Sequence, residues 1–410
     1  MKIYLVGGAV RDALLGLPIK DRDHLVVGAS ITQMQQQGFR QVGKSFPVFL
    51  HPDSGEEYAL ARTERKTGYG YGGFDFDAAP TVTLEQDLIR RDLTINAMAR
   101  DSEGQLHDPH GGMADLNARI LRHVSPAFVE DPLRVLRVAR FAARFHHLGF
   151  TVAAQTLRLM QQLSDSGELA HLSAERVWQE TERALAEPNP EIYFELLHQC
   201  GALAVLFPEL AALQGVAQPE AYHGGLDALA HTLLALQLAA TEQAPPSVRF
   251  AVLLHDLGKA LTPKSEWPRH IGHESAGLKP VKALCERLRV PNEWRDLALQ
   301  VCAQHLNVHR ALTLKPSTLL KLFDRCDVWR KPERFSHTLD ASRLDAIGRP
   351  DQQQAAYPAQ AYLQGALAAA NRVCVKAIVA DGFKGPAIRE ELSQRRLLAL
   401  AQFKARESNS

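Results

Sequence analysis

Asp21 and Asp23 stand two residues apart, shortly after the run Leu5-Val6-Gly7-Gly8-Ala9-Val10-Arg11-Asp12. On a strand, residues i and i+2 face the same way, so two carboxylates so placed can clamp divalent ions that bridge phosphate oxygens. Gly7-Gly8 has no Cβ to keep backbone N–H groups away from a phosphate. Arg11, in the first turn of the next helix, adds a permanent positive charge. Together these residues could grip a nucleoside triphosphate and its magnesium. The triplet alone carries little weight. With each charged residue type at roughly 6% of a chain, a sequence this long holds about one or two Asp-x-Asp triplets by accident. The second one here, Asp75-Phe76-Asp77, lacks a preceding strand and glycine turn and is read as an ordinary solvated segment.

Two further segments extend the pattern. In Arg90-Arg91-Asp92-Leu93-Thr94-Ile95-Asn96-Ala97 the arginines could meet phosphates, while Asp92 and Asn96 could bond a ribose hydroxyl. Read alone, it is an amphipathic helix start with an ordinary ion pair. In Glu130-Asp131-Pro132-Leu133-Arg134-Val135-Leu136-Arg137-Val138-Ala139-Arg140, positions 131 and 134 neighbour each other on a helix, and 137 and 140 continue along nearly the same side. A surface ion pair is the simple alternative for Asp131 and Arg134.

A second chemistry sits at Leu253-Leu254-His255-Asp256-Leu257-Gly258-Lys259. A His-Asp pair inside an apolar helix is expensive unless it has a partner. Both side chains can join one metal centre, with His231 upstream and Asp345 downstream as further ligands. His270, His273 and His305 fall in the same region. A structural histidine capped by its neighbour is the plainer account.

The elements that must position these residues follow from pattern. Residues 2–6 and 25–27 are short apolar runs suited to buried strands. Residues 9–15 predict a helix closed by Gly16 and Pro18. Residues 46–51 and 56–61 flank Pro52-Asp53-Ser54-Gly55 as a hairpin. Residues 67–73 alternate Gly with Tyr, which predicts a mobile loop. From Ala114 onward the pattern is helical, with helices over 130–145, 175–186, 192–199, 226–240, 248–259, 280–288 and 316–323. The expected class is α+β: a small mixed α/β head over 1–115, a helical neck and body over 116–225, a third region over 226–330 or to about 346, and a helical tail over 331–410.

Composition sets the frame. The 410 residues are 46% hydrophobic and 23% charged, enough for two to four packed cores. With 47 basic against 46 acidic side chains, nucleic-acid contact must come from local basic faces and not from bulk charge. Cys200, Cys285, Cys302, Cys326 and Cys374 form no Cys-x-x-Cys pair, which argues for free thiols in a reducing compartment. The first residues carry no signal-peptide pattern, and the weakly polar stretches at 196–207 and 228–240 are too short to span a bilayer. A cytoplasmic protein without a membrane partner is expected; monomer and homodimer stay open.

The order Gly-Gly-x-x-Arg-Asp, Asp-x-Asp, Arg-Arg-Asp-x-Thr-Ile-Asn-Ala, Glu-Asp-x-x-Arg closely resembles class II tRNA nucleotidyltransferases, the enzymes that add CCA to tRNA 3′ ends. The resemblance implies a polymerase-beta-like head, magnesium at Asp21 and Asp23, and triphosphate and ribose held by Gly8, Arg11 and Arg91. Arg137 and Arg140 would line the nucleotide pocket. Asp131 and Arg134 match the family's base-reading pair, and the chemistry of that role is sound. Cytosine and adenine both present an amino donor beside an unprotonated ring nitrogen, which a carboxylate and a guanidinium complement; uracil and guanine present the opposite order. CTP, ATP and tRNA are then the expected partners. Switching from C to A would involve movement of head against neck and a flexible loop over 65–80.

The His255-Asp256 segment resembles HD-superfamily phosphohydrolases, which use a metal-activated water against phosphate esters. Its combination with the head resembles bacterial class II CCA-adding enzymes that carry an HD domain. That resemblance implies 2′,3′-cyclic phosphodiesterase, 2′-nucleotidase and phosphatase activities, with nickel or another divalent ion at His255, Asp256, His231 and Asp345. A basic track for the tRNA acceptor arm begins at Arg134, Arg137, Arg140 and Arg144, and Lys384, Arg389, Arg395, Arg396, Lys404 and Arg406 could continue it in the tail. Two rival readings remain: a poly(A) polymerase of the same superfamily, and an RNA-binding HD phosphohydrolase whose head is inactive.

Overall fold

The computed structural model describes residues 1–42, 48–66, 74–220, 224–350, 352 and 354–408. The chain divides into two compact units, Met1–Phe207 and Pro208–Ser410. In the first unit a seven-stranded mixed sheet runs in the order Arg40–Val42, Val48–Leu50, Glu57–Leu60, Asp23–Val27, Lys2–Val6, Ala99–Arg100, Leu106–His107. The central strands alternate. Tyr4, Val6 and Leu25 pack with Val82, Leu84, Leu88 and Ala97, while Val26, Met34, Phe49, Tyr58 and Leu60 form the core of the other face. Each fully buried side chain of this kind stabilises the fold by about 1.5–3 kcal/mol, so the register is strongly specified.

That register positions the first candidate site. Lys2–Val6 pairs antiparallel with Asp23–Val27, setting Val6 against Asp23. Asp23–Val27 pairs parallel with Glu57–Leu60, setting Asp23 beside Glu57. Gly7 has φ 68°, and a Cβ there would lie 2.9 Å from an Arg91 guanidinium nitrogen, so only glycine serves between this strand and the helix Gly8–Leu14. The expected hairpin is present as Val48–Leu50 and Glu57–Leu60. The loop expected over 65–80 lies partly outside the described residues; its flanks, Thr63–Lys66 and Phe74–Asp77, pair antiparallel. Leu133–Phe145 packs against Ala174–Leu185 and Pro190–Gln199 through Val135, Leu136, Val138 and Ala139.

The second unit is helical. Ala228–Thr241, Pro246–Leu254, Asn292–His309 and Pro332–Ile347 pack together over Leu236, Leu253, Leu254, Val301 and Leu344. Pro316–Arg325, Pro358–Asn371 and Pro386–Glu407 enclose a further core of Leu319, Phe323, Leu363, Ala366 and Leu400. The stretch Pro358–Ala380 is long and apolar enough by composition to cross a membrane. It is divided here into two helices, Pro358–Asn371 and Val375–Ala380, and the first contributes Leu363 and Ala366 to the core.

Three local expectations need correction. The strand begins at Asp23, so Asp21 precedes it instead of sharing its pleat. Asp131 is extended (φ −117°, ψ 105°) and precedes the helix that carries Arg134, which starts at Leu133. The helix expected over 248–259 ends at Leu254, and Leu257–Leu261 is a 3-10 turn. The reason for the break lies in Gly258, where a Cβ would stand 1.9 Å from the His273 carbonyl oxygen and 2.6 Å from Gly277 N. The chain must leave the helix to bring Asp256 beside His273. Gly258→Ala should therefore destabilise the second unit by about 1–3 kcal/mol, the scale of overpacking. Thermal unfolding of the full chain reads this, and an unchanged transition would refute the close-approach account.

Candidate active sites

The first unit holds a cavity of about 680 Å³ lined by nine arginines and Lys20 against six carboxylates. Asp21 and Asp23 lie on it with Gly7, Gly8, Arg11, Arg91, Asp131, Arg134, Arg137 and Arg140, so the head and neck residues expected to hold metal and nucleotide reach one space. Glu57 lines it as well, in register beside Asp23 and on the same face. Sequence reasoning missed it, because only the parallel pairing of two strands 34 positions apart brings it there.

Most of the charge is paired. Arg11 donates to Asp12 at 2.8 Å and to the Asn96 side-chain oxygen, and lies over Phe141 and Phe145 at 5.1 and 5.0 Å. Arg144 pairs with the other Asp12 oxygen at 2.8 Å, and Arg140 with Glu180 at 2.6 Å. Arg91 and Arg90 both pair with the buried Asp87, at 3.2 and 3.0 Å. Arg137 holds Asp92 at 2.6 Å. Burial alone would raise the Asp92 carboxyl, but Arg137, Asn96 and the Leu93 N–H hold it well below the usual carboxylate range. By contrast the side-chain carboxylates of Asp21, Asp23 and Glu57 have no hydrogen-bond or ion-pair partner among the described residues. Three uncompensated oxygen donors beside a strongly basic wall fit a hard cation such as magnesium arriving with a triphosphate.

Asp131 and Arg134 are not paired with each other in the manner expected of a surface i,i+3 bridge. The Asp131 carboxylate accepts from Arg176 at 3.2 Å and from the Leu133 N–H at 3.1 Å. Arg134 donates to the carbonyls of Ala127 and Arg90 at 2.7 and 2.6 Å, which fixes its planar fork. Arg176 had no sequence signal, since it comes from a separate helix.

In the second unit His231, His255 and Asp345 form one group and Asp256, His273 and His305 another, all buried. Within each group the ligand atoms lie within 4.8 Å of one another. The four histidines share a device. Each Nδ1 faces a main-chain carbonyl: His255 to Val252 at 2.7 Å, His231 to Gly348 at 3.0 Å, His273 to His270 at 2.8 Å and His305 to Val301 at 3.1 Å. A carbonyl only accepts, so Nδ1 carries the proton and Nε2 points inward. His231 Nε2 lies 3.0 Å from Asp345, and His255 Nε2 lies 3.0 Å from Asp256 and 3.4 Å from Asp345. Lys259 contacts Asp256 and donates to Gln218 at 2.6 Å.

Burial lowers His231, and pushes His305 down to about 3, so both are neutral imidazoles. Burial also pulls on His255, but Asp256 and Asp345 outweigh it and raise the ring to about 10. His255 Nε2 and both Asp256 oxygens are buried without a well-formed hydrogen bond. Orphaned, converging nitrogen and oxygen donors fit a transition-metal ion better than magnesium. His270 is not part of this group: its ring bonds the Thr262 hydroxyl and the Ala217 carbonyl. His309, unremarked in the sequence, reaches Asp345 at 2.7 Å and the Tyr357 hydroxyl at 2.8 Å.

The tail cations are partly engaged. Arg395 pairs with Glu391 and Asp381, Arg396 lies 3.4 Å over Trp329, and Lys404 donates to the Leu314 carbonyl. Lys384 and Arg389 are exposed.

A polymerase-type nucleotidyltransferase head joined to an HD domain is the class these two sites define. Residues 3–122 match the family model for the poly A polymerase head domain, 149–214 the model for the probable RNA and SrmB-binding site of polymerase A, and 228–329 the HD domain. The chain is 60% identical over 404 residues to the multifunctional CCA protein of Shewanella denitrificans, covering 98% of each, and it belongs to that family. Among solved structures, the CCA-adding enzyme of Bacillus stearothermophilus in complex with CTP is 25% identical, with 100% of this chain and 95% of that one covered and a TM-score of 0.62. An apo CCA-adding enzyme shares the fold at a TM-score of 0.67, with 21% identity and coverage of 99% and 91%. Asp345 lies beyond the residues matched to the HD domain.

The Asp92–Arg137 pair yields a stability prediction. Asp92 is 5% exposed and Arg137 34%, so Asp92→Asn should cost about 1–3 kcal/mol at pH 7, between the buried and exposed limits. The folded carboxyl titrates below its unfolded value of about 3.9, so its stabilisation is complete above that value and is lost as pH falls toward the folded one. Urea unfolding should give a wild-type-to-variant gap that is flat from about pH 7 to 5 and shrinks below about 4. A gap that widens toward acid would contradict the pairing.

Proposed function

We propose that this chain completes tRNA 3′ ends, adding C, C and A from CTP and ATP without a template, and that its HD domain hydrolyses phosphate esters at RNA ends. The observation that carries the reading is the arginine-lined cavity in which the carboxylates of Asp21, Asp23 and Glu57 have no partner among the described residues. The relative named a multifunctional CCA protein supports the choice of substrate. In this reading Asp21 and Asp23 hold the magnesium, Gly8, Arg11 and Arg91 hold triphosphate and ribose, and Arg137 and Arg140 line the pocket. Bound magnesium would neutralise phosphate charge and make the attacking hydroxyl more acidic. The tRNA 3′-oxygen forms the bond to the α-phosphorus, the α–β bridging P–O bond breaks, pyrophosphate leaves and the hydroxyl proton passes to solvent. No protein nucleophile is required.

Selection falls to Asp131 and Arg134. The carboxylate accepts from the amino group of C or A while the guanidinium donates to the ring nitrogen, and UTP and GTP present the wrong order. Anchoring of Arg134 on two carbonyls and of Asp131 on Arg176 pre-sets both groups, so little ordering is needed on binding.

In the HD domain, His231, His255, Asp256 and Asp345 would hold nickel or another divalent ion, which supplies Lewis-acid polarisation of a phosphate ester and an activated water. Carbonyl anchors at Nδ1 keep His231 and His255 in the ligating tautomer. Cyclic 2′,3′-phosphates, 2′-nucleotides and phosphomonoesters are the substrates, so that one site clears a damaged end and the other rebuilds it. We assign this work to the cytoplasm, where the five free cysteines stay reduced.

Truncated tRNA with labelled CTP and ATP tests the reading. Asp21→Asn and Asp23→Asn should each lose at least about 10²–10³-fold in addition, the scale of removing a charge-stabilising group, yet keep cyclic-phosphate hydrolysis. His255→Ala should do the reverse. Loss of both activities in each variant, with folding intact, would defeat the two-site account. A long A-only product would favour a poly(A) polymerase instead.

A further inference from the structure

A space of about 130 Å³ in the second unit opens onto the carboxylates of Asp256 and Asp345, and three cations stand on its wall: Lys259, Arg269 and Arg349. Lys259 is turned onto Asp256 and donates to Gln218, so its charge is engaged within the cluster. The two arginines come from segments far apart in sequence, and each segment is fixed. Arg269 sits between Trp267, whose indole N–H donates to the Thr262 carbonyl at 3.2 Å, and His270, whose ring bonds the Thr262 hydroxyl and the Ala217 carbonyl at 2.7 Å each. His270 is held at φ 49°, a left-handed conformation that a residue with a side chain keeps only where its surroundings impose it. The Arg269 side chain is exposed and has no hydrogen-bond or ion-pair partner among the described residues. Arg349 follows Gly348, whose carbonyl faces His231 Nδ1 at 3.0 Å and where a Cβ would stand 2.7 Å from that of Ala235. The backbone that sets the His231 tautomer therefore also sets Arg349 on the wall.

We infer that Arg269 and Arg349 together hold the phosphate of the substrate at this site, and that the site selects a ribose-bound phosphate by its charge without reading the base. This rests on the hydrolase reading of the domain and deepens it. A guanidinium presents a planar fork of donors that matches two phosphate oxygens at once. The volume of about 130 Å³ lies below the roughly 300–1,000 Å³ of pockets that enclose a whole small molecule. A phosphate and the edge of its ribose can enter, while the base stays outside. Pro219, Pro268 and Leu306 complete the wall, with no carboxamide or hydroxyl side chain among the described residues to read a base edge.

The test uses the full chain loaded with Ni²⁺, adenosine 2′-phosphate as substrate and inorganic phosphate as inhibitor. Arg269→Gln and Arg349→Gln should each raise KM and weaken phosphate inhibition about 10–100-fold, the scale of losing a hydrogen bond to a charged group, with the helical circular dichroism unchanged. Cytidine and guanosine 2′-phosphates should show the same KM as the adenosine ester in the parent chain. Unchanged KM and phosphate inhibition in either folded variant, or a KM that depends strongly on the base, would overturn the assignment and leave the hydrolase reading standing. A rise in KM confined to an RNA with a 2′-phosphate end, with the free nucleotides unaffected, would place the arginines on a flanking phosphate and overturn it as well. No hydrolysis by the parent chain would instead defeat the hydrolase reading. If Arg349→Gln fails to fold, the variant of the exposed Arg269 decides.

Discussion

Incomplete charge compensation is the constraint on which both sites depend. In the first unit nearly every guanidinium that lines the cavity is matched: Arg11 and Arg144 share Asp12, Arg137 holds Asp92, Arg140 holds Glu180 and Arg176 holds Asp131. These pairs order long side chains that would otherwise be mobile, and at an effective dielectric of about 20 each is worth up to about 4 kcal/mol of Coulomb energy at 4 Å before desolvation is counted. They let a large number of arginines converge without destroying the fold. What is left over is a basic wall that can share its charge with phosphates, and three carboxylates, those of Asp21, Asp23 and Glu57, with no side-chain partner among the described residues.

The second unit solves the same problem with different atoms. Its carboxylates are buried, so leaving them uncompensated would be far more expensive than at the open rim where Asp21 and Asp23 lie. Histidines turned by main-chain carbonyls supply nitrogen donors on several sides, and Lys259 contacts the Asp256 carboxylate. Oxygen-only donors at an exposed edge and imidazole-rich donors in a buried site suit different ions.

Much of this was legible in the sequence, and the misses have a common cause. Gly7-Gly8, Arg11 and the Asp21–Asp23 pair lie close together along the chain, and their order carried the head. His255-Asp256 was legible for the same reason, and His231 and Asp345 followed from the need for further ligands. Glu57 and Arg176 were invisible because strand register and helix packing, not spacing, bring them to the cavity. His273 and His305 were noticed only as neighbours in sequence; their convergence on Asp256 depends on the chain leaving its helix at Leu254 so that Gly258 can touch the His273 carbonyl. Periodicity alone predicted an uninterrupted helix there, since apolar spacing does not register a close backbone contact. In the tail, Arg395, Arg396 and Lys404 are held by neighbours within the same unit, contacts that charge spacing alone does not register.

The carboxylates without a partner among the described residues, Asp21, Asp23 and Glu57, should mark where metal ions bind in the first unit. The most direct test is anomalous diffraction from crystals of the full chain soaked with Mn²⁺ and CTP. A manganese peak is expected between Asp21 and Asp23, beside the triphosphate and within reach of Glu57. Nucleotide bound in the cavity with manganese instead on the arginine-paired Asp12, Asp92 or Asp131, and none at Asp21 and Asp23, would contradict it.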